Sequence, residues 1–462
     1  MSVLGMPESR IAELVRGVAR SMPPEVLEDR EALLERFARA AWSTIAEPGD
    51  GAAGALVGAL GAFPALELLI ETEGEPAMLA GGRLGGASSD PASTGPASSG
   101  LGSRALEEAV RRWWPRVAQR PVRLALEQAR RFGIGLLVPG DPGWPQGLDD
   151  LGPHAPAALW FRGSPAGARP GEAAPASAPG IALVGARAAT GYGEHVAVEA
   201  ASGLVDRGVA IVSGAAYGID GAAHRAALAS GGRTIAVLAG GLDRFYPSGH
   251  EALLERISGE GGGLVLAEVP CGTAPTRWRF LQRNRIIAAI SDATVVVEAG
   301  WRSGSLNTAR HAAQLGRPIG AVPGPVTSTA SSGCHRMLRE LDAVCVTDAA
   351  EMAELLPTAG VDAAGPAPTR SADRGDEDAA EHPAERSRPS GARGRPAVVT
   401  AEDPEGTRAR LLDAMSTRTA RRPGDLASMS GLAPDRVRAM LGLLELDGIV
   451  RPRGDGWIRA GS

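Results

Sequence analysis

Apolar and polar positions change period several times along the chain, and each change marks a candidate unit. Between residues 9 and 80 apolar side chains recur at helical spacing, Ile11, Leu14 and Val15 and then Leu33, Leu34 and Phe37, which predicts a small helical unit. Helical pattern resumes at Leu106. From Gly133 the pattern turns to short β-like runs, 134–138 and 159–161, separated by Pro-rich turns between Asp141 and Pro145. Beyond these, apolar runs at 181–184, 209–212, 234–238, 264–267, 294–297, 319–322 and 343–346 alternate with helical stretches. Strands that are apolar throughout, interleaved with helices, predict a parallel sheet covered on both faces. Near the end, Leu411 and Leu412, then Leu426, then Val437, Leu441 and Leu444 mark three helices. Ile449-Val450 and Trp457-Ile458 follow as two short β segments around Gly454-Asp455-Gly456, the pattern of a winged helix.

The expected fold class is therefore α/β, a doubly wound Rossmann-like parallel or mixed sheet with an N-terminal helical domain and a C-terminal winged helix. A chain of 462 residues suggests roughly two to four folding units. Segments 81–102 and 165–179 are dominated by Gly, Ser, Ala and Pro, and 357–404 by Pro, Ala, Gly and mixed charge, so none buries enough apolar surface to fold. They are expected to be two flexible insertions and a disordered linker. The expected domains are residues 1–132, an N-terminal helical domain; 133–348, the Rossmann-like domain; and 405–462, the winged helix.

Composition removes several chemistries. The formal charge is −5 and all 48 basic residues are Arg, so any contact with nucleic acid must come from local arginine clusters. With no Lys, a Schiff-base lysine and a Walker-type phosphate loop are both excluded. Cys271, Cys334 and Cys345 include no C-x-x-C pair, so neither a disulfide framework nor a zinc site is indicated, and no metal or cofactor is expected. A reducing cytoplasm fits best. No apolar run approaches the roughly 18 residues that span a bilayer, and no membrane partner is expected.

Candidate chemistry gathers where strands end. Gly185-Ala186-Arg187, Ser213-Gly214, Gly240-Gly241, Ser303-Gly304-Ser305 and Pro323-Gly324-Pro325 each follow a predicted strand. In an open parallel sheet such turns share the carboxyl edge, where helix N-termini offer backbone N–H groups to phosphates. Arg187, set in a glycine turn, suits a bidentate phosphate contact. The G-x-G-x-x-G pattern of dinucleotide binding is absent after the first strand, and the second strand ends in Ser213 rather than in an acid for a ribose. The run from Arg277 to Arg285 adds Arg277, Arg279, Arg283 and Arg285 to Trp278 and Phe280, with Asn284 between them. That combination offers phosphate contacts beside base-stacking candidates; ordinary core packing is the competing explanation for the aromatics. In 405–462, ten Arg stand against seven acids, and Arg436, Arg438, Arg451 and Arg453 are the candidates for DNA contact, a protein-docking role being the alternative. Asp220 and His224, four apart on one helical face, could move a proton but read as a structural hydrogen bond; Cys334-His335 are neighbours that point in different directions with no orienting third group, and read as a coincidence. Glu298, ending a buried strand, reads equally as a base, a helix cap or an ion-pair partner.

Several ordered blocks carry a family resemblance. They are Val184 to Arg187, Ser213 to His224, Gly240 to Pro247, Arg283 to Ala288, Glu298-Ala299 with Ser303 to Leu306, Thr308 to Arg310, and Ala321 to Gly324. In this order they resemble the DNA-processing protein A (DprA/Smf) family, closely over residues 133–348. The resemblance implies a non-enzymatic protein that binds single-stranded DNA without sequence preference, protects it and loads the RecA recombinase in recombination or natural transformation. It also implies a homodimer built through the Rossmann-like domain and, for residues 1–132, an accessory domain of the SAM or helix-hairpin-helix type. Relatives place a basic residue after the Tyr-Pro pair, where this chain has Ser248. The alternative is a nucleotide-processing hydrolase of the Lonely Guy class, but its Pro-Gly-Gly-x-Gly-Thr motif and following helical Glu are missing from the stretch Gly300 to Thr308.

Overall fold

In the computed structural model, the structure describes residues 2–19, 22–75, 103–165, 178–259, 263–357 and 404–460. Apart from their end residues, the stretches expected to be flexible, 81–102, 165–179 and 357–404, lie outside this set.

A two-stranded ribbon, β1 (Ser2–Val3) and β2 (Met6–Pro7), opens the chain. Helices α1 (Glu8–Arg16), α2 (Pro24–Glu28), α3 (Arg30–Ile45), α4 (Gly51–Leu60), α5 (Ala62–Glu71), α6 (Ser103–Trp113) and α7 (Gln119–Arg131) follow. Their starts are encoded locally. The Asp29 carboxylate accepts from the Glu31 N–H at the head of α3, and Asp50 accepts from Ala52 and Ala53 at the head of α4. Helix α4 lies so close to the chain at Pro153 that a Cβ on Gly54 would sit 1.8 Å from the Pro153 carbonyl oxygen, so only glycine fits.

Nine strands form one sheet: β3 (Gly135–Leu137), β4 (Leu159–Gly163), β5 (Gly180–Gly185), β6 (Ala210–Ser213), β7 (Thr234–Leu238), β8 (Leu264–Ala267), β9 (Ala293–Glu298), β10 (Ile319–Ala321) and β11 (Val344–Cys345). Their spatial order is β11-β10-β9-β5-β6-β7-β8-β4-β3. All neighbours are parallel except β8–β4 and β4–β3, so the two short runs ahead of the parallel set form its antiparallel edge. The sheet is mixed and doubly wound, as its sequence pattern predicts. At the far edge, both residues of β11 are exposed, which the apolar pattern of 343–346 does not anticipate.

Helices α8 (Gly191–Asp206), α9 (Ile219–Ala229), α10 (Glu251–Gly259), α11 (Arg277–Ala289), α12 (Ser305–Gln314) and α13 (Ser332–Glu340) connect the strands, and α14 (Ala349–Ala353) follows the last of them. Alternation along β5 shows both faces covered. Ile181 and Leu183 join a core with Ala197, Leu204 and Ala223 of α8 and α9, whereas Ala182 and Val184 join one with Ile286, Leu306 and Met337 of α11, α12 and α13. A third core is continuous from Phe37, Trp42 and Trp113 of the first helices to Leu136, Trp160 and Val265 of the sheet. The chain closes with α15 (Pro404–Ala414), α16 (Pro423–Ser430), α17 (Pro434–Leu446) and the antiparallel ribbon β12 (Val450–Arg453) and β13 (Gly456–Arg459). Leu411, Leu426, Val437, Leu441, Leu444 and Val450 fill its core, the arrangement of a winged helix.

Candidate functional site

The chain runs from β5 through β6 and β7 to β8 on one side, then returns to place β9 on the other side of β5. The β5/β9 pair is thus the point where strand order reverses, and loops leaving adjacent carboxyl ends there diverge and open a crevice. Gly185 ends β5 against β9, and a Cβ on it would sit 2.5 Å from the Ile219 side chain. The loops then part. Residues Ala186 to Ala188 and Gly300 to Gly304, with the start of α11 and Tyr246, enclose a cleft of about 930 Å³.

The structure brings ten of the residues singled out from sequence to this cleft: Gly185, Ala186, Arg187, Arg277, Phe280, Arg283, Asn284, Ser303, Gly304 and Ser305. Arg187 is exposed, and its guanidinium lies 4.7 Å from the centre of the Phe280 ring. Arg283 approaches the same ring at 5.8 Å but is buried; it donates to the carbonyl of Gly214 at 2.8 Å and to that of Val237. Burial, opposed by the nearby Asp220 carboxylate and reinforced by the Arg187 cation, holds the Arg283 guanidinium down to about 10, so it stays charged at neutral pH. Arg283 therefore supplies positive potential from the floor, while Arg187 supplies an exposed hydrogen-bonding fork. Asn284 donates to the Gly304 carbonyl at 3.3 Å and to Asn307 at 3.2 Å, fixing the turn that starts α12. In that turn the Ser303 and Ser305 hydroxyls bond each other at 2.7 Å. A Cβ on Gly304 would meet nothing within 4 Å, so the helix start is open to the cleft. Arg302 completes a lining of four arginines against two carboxylates, Asp220 and Asp413.

Other residues singled out from sequence lie elsewhere for identifiable reasons. Ser213 is fully buried and donates to the Leu183 carbonyl at 2.7 Å, tying β6 to β5. Gly214 leaves room for Arg283 rather than for an anion, since a Cβ there would sit 2.4 Å from its guanidinium. Gly240 and Gly241 pack against the stretch from Pro270 to Pro275. The corresponding space at Gly324 is filled by Ser331. Arg279 pairs with Glu47 at 3.0 Å, and Arg285 with Glu268 at 2.6 Å. Trp278 is buried beneath the Arg410 guanidinium, 5.3 Å from its ring centre. Arg436, Arg438, Arg451 and Arg453 are exposed on the winged helix and do not line the cleft. The lining also includes Tyr246, Trp301, Arg302 and Asp413, which sequence reasoning did not single out. Position within a strand-end loop could have found Trp301 and Arg302; nothing local points to Asp413, which comes from α15 and accepts from the Arg277 N–H at 3.0 Å.

The winged helix docks beside the cleft through a buried charge cluster. Glu47 takes Arg116 at 2.6 Å and Arg279 at 3.0 Å, with Arg410 nearby. Although burial opposes ionisation, the Arg279, Arg116 and Arg410 cations together pull the Glu47 carboxyl down to about 2. Arg410 donates to the carbonyls of Ser430 and Gly431, and Arg116 to that of Ser428.

The other reactive types are engaged structurally. Both Glu298 oxygens accept from Thr190, one from its N–H at 2.8 Å and one from its hydroxyl at 2.7 Å, at the head of α8. His224 is fully buried, its ring held neutral by a pKa pushed down to about 3 through burial, and its Nδ1 lies 2.7 Å from the Thr234 hydroxyl. Asp220 accepts from the Gly214 and Ala216 N–H groups, and burial raises its pKa. Burial pushes the Cys334 thiol up to about 12, leaving it unreactive, while the adjacent His335 bonds the Gly324 carbonyl. Among the described residues no group of three or more His, Cys, Asp or Glu is placed to hold a metal ion. Nor is any single helix there long and apolar enough to cross a membrane.

A doubly wound sheet with an arginine-lined crevice at its switch point, joined to a winged helix, defines the class: a Rossmann-like protein with a cationic cleft. Comparison with known proteins narrows the class. Residues 135–357 match the family model described as DNA recombination-mediator protein A, and residues 395–456 match the DprA winged helix domain. The chain is 44% identical over 349 residues to a DNA processing protein DprA of Mycobacterium tuberculosis, covering 73% of this chain and 80% of that protein. It is also 44% identical over 176 residues to protein Smf of Escherichia coli, covering 38% of this chain and 46% of that one. Among solved structures, DNA processing protein A of Streptococcus pneumoniae is 31% identical with a TM-score of 0.45, covering 56% of this chain and 84% of that chain. DNA processing protein A of Helicobacter pylori, solved for its single-stranded DNA binding mode, is 26% identical with a TM-score of 0.42, covering 48% of this chain and 94% of that one. The chain belongs to the DprA/Smf family.

Proposed function

We propose that this chain is a non-enzymatic DNA-processing protein of the cytoplasm that binds single-stranded DNA in the switch-point cleft without reading its sequence. In this reading it protects the strand and loads RecA for recombination, as in natural transformation, and it acts as a homodimer through its Rossmann-like domain. One observation carries the site assignment: Arg187, Arg277, Arg283 and Arg302 converge on a crevice that also receives the open start of α12. Phosphates are matched by such a site through guanidinium forks and a helix start, neither of which depends on base identity. Gly304 at the open start of α12, with the Ser303 and Ser305 hydroxyls, would receive a phosphate beside Gly185 and Ala186, which shape the rim because the Ala186 N–H is already given to the Glu298 carbonyl at 2.7 Å; Asn284 would be the brace and Phe280 a stacking surface beneath Arg187. The absence of enzymatic activity is supported by the engagement of Glu298, the candidate base, with Thr190 through both oxygens. Segments 1–132, 133–348 and 405–462 are proposed as the accessory, binding and winged-helix modules, with 357–404 as linker and Arg436, Arg438, Arg451 and Arg453 as auxiliary DNA contacts.

Anisotropy titrations of labelled single- and double-stranded oligonucleotides of several sequences, with and without residues 405–462, test this reading. Single strands should bind with similar affinity whatever their sequence, and most of that affinity should survive removal of the winged helix. Preference for duplex, or loss of all binding with the winged helix, would contradict the assignment to the cleft.

A further inference from the structure

Trp301 is unusual among the large apolar side chains. It is 57% exposed although it lines the cleft wall, and it sits on the loop that leaves β9, the strand defining the switch point. The Arg336 guanidinium lies 4.9 Å from the ring centre and is itself paired with Glu340 at 2.6 Å, so a cation backs the ring. Arg302 follows it in the same lining. Across the cleft, Tyr246 is 48% exposed, and its ring packs at 5.7 Å on Phe280, the ring that carries Arg187. Tyr246 leaves the β7 side and Trp301 the β9 side, separated along the sheet edge by three strand spacings, roughly 14 Å. The cleft therefore presents exposed aromatic faces at both ends and arginines between them.

Cations in the centre match a sugar-phosphate chain, and π-faces at the two ends match flat bases displayed from that chain. An inorganic anion or a duplex with its bases stacked inside has no use for the aromatic ends. We propose that Trp301 is a base-stacking platform of this cleft, backed by Arg336 and paired with Tyr246 at the opposite end, so that unpaired bases as well as phosphates contribute to binding. This rests on the reading of the cleft as a single-strand site. It goes further in predicting that affinity depends on the presence of bases while remaining indifferent to their identity, because every base has a π-face.

The test compares oligothymidylate with an abasic oligomer of equal length and the same phosphates, using the full chain. Wild type should bind the thymidylate more tightly than the abasic strand. Trp301→Ala should lower thymidylate affinity about tenfold and leave abasic affinity unchanged, while Trp301→Phe keeps most of the preference. Arg187→Ala should lower affinity for both strands. The exposed position of Trp301 means that its variants should melt as wild type does. Thymidylate binding by Trp301→Ala equal to wild type, or equal losses for both strands, overturns the stacking assignment alone. Failure of wild type to bind either strand overturns the single-strand reading together with it.

Discussion

Arg187 and Arg283 share one aromatic ring but differ in what their charges can do. Arg283 has its N–H groups turned to the carbonyls of Gly214 and Val237, so it acts through its field. Arg187 is exposed over Phe280, and its removal leaves no buried partner unpaired. Arg187→Ala should therefore melt like wild type yet bind single strands several-fold more weakly, with the slope of log affinity against log salt reduced by about 1, as a salt series of titrations would show. His224 provides a residue-scale prediction of another kind. The Thr234 hydroxyl donates to the Ile211 carbonyl, so it accepts from Nδ1–H of His224, and Nε2 is left with no donor among the described residues. The folded pKa near 3 lies below the unfolded value near 6.5, so the unfolded chain takes up a proton that the native ring refuses. This contribution to stability is full above pH 6.5 and is lost at about 1.4 kcal/mol per pH unit as the pH falls towards 3. His311, pushed down to about 4 by burial, adds in the same direction. Urea unfolding between pH 7 and 5 should show this loss, and His224→Gln should reduce its slope.

Sequence pattern located the strand ends well because they follow from topology, and topology follows from apolar runs. It could not sort the arginines of α11, since that requires knowing what covers each helical face. Spacing contains part of the answer: Arg277, Phe280 and Asn284 are three and four apart, share one face, and line the cleft. Trp278 and Arg285 fall on another face, where Arg410 and Glu268 take them. The contact of Asp413 was illegible for a different reason, because it joins helices that are distant in sequence. Asp413 on α15 accepts from the first N–H of α11, so a carboxylate occupies a helix start at the cleft rim. Asp413→Asn removes that negative charge while keeping an acceptor. Single-strand affinity should rise a few-fold at low salt, and the gain should shrink as salt is raised; an unchanged affinity at every salt concentration would remove Asp413 from the electrostatics of the cleft.

At the scale of the molecule, Glu47 joins three parts of the chain: Arg116 lies ahead of the sheet, Arg279 on α11 and Arg410 in the winged helix. Removing one member of a buried ionic cluster leaves charges uncompensated, which typically costs about 3–5 kcal/mol. Glu47→Ala should therefore lower thermal stability by that order, and proteolysis should release the winged helix more readily than in wild type. Because the folded Glu47 pKa is near 2, its stabilisation is present above the unfolded value near 4.5 and fades only as the pH falls from there towards 2. The overall α/β order and the winged helix were readable from periodicity, whereas this cluster was not, since nothing in the surroundings of Glu47 in sequence names its partners. The central claim, that the crevice between the loops leaving β5 and β9 holds the strand, is tested most directly by photocrosslinking the intact protein to single-stranded DNA carrying 5-iodouracil and mapping the adducts by mass spectrometry. Adducts should fall on the lining of the cleft, at Tyr246, Phe280 or Trp301. Adducts confined to residues 405–460 would contradict the account.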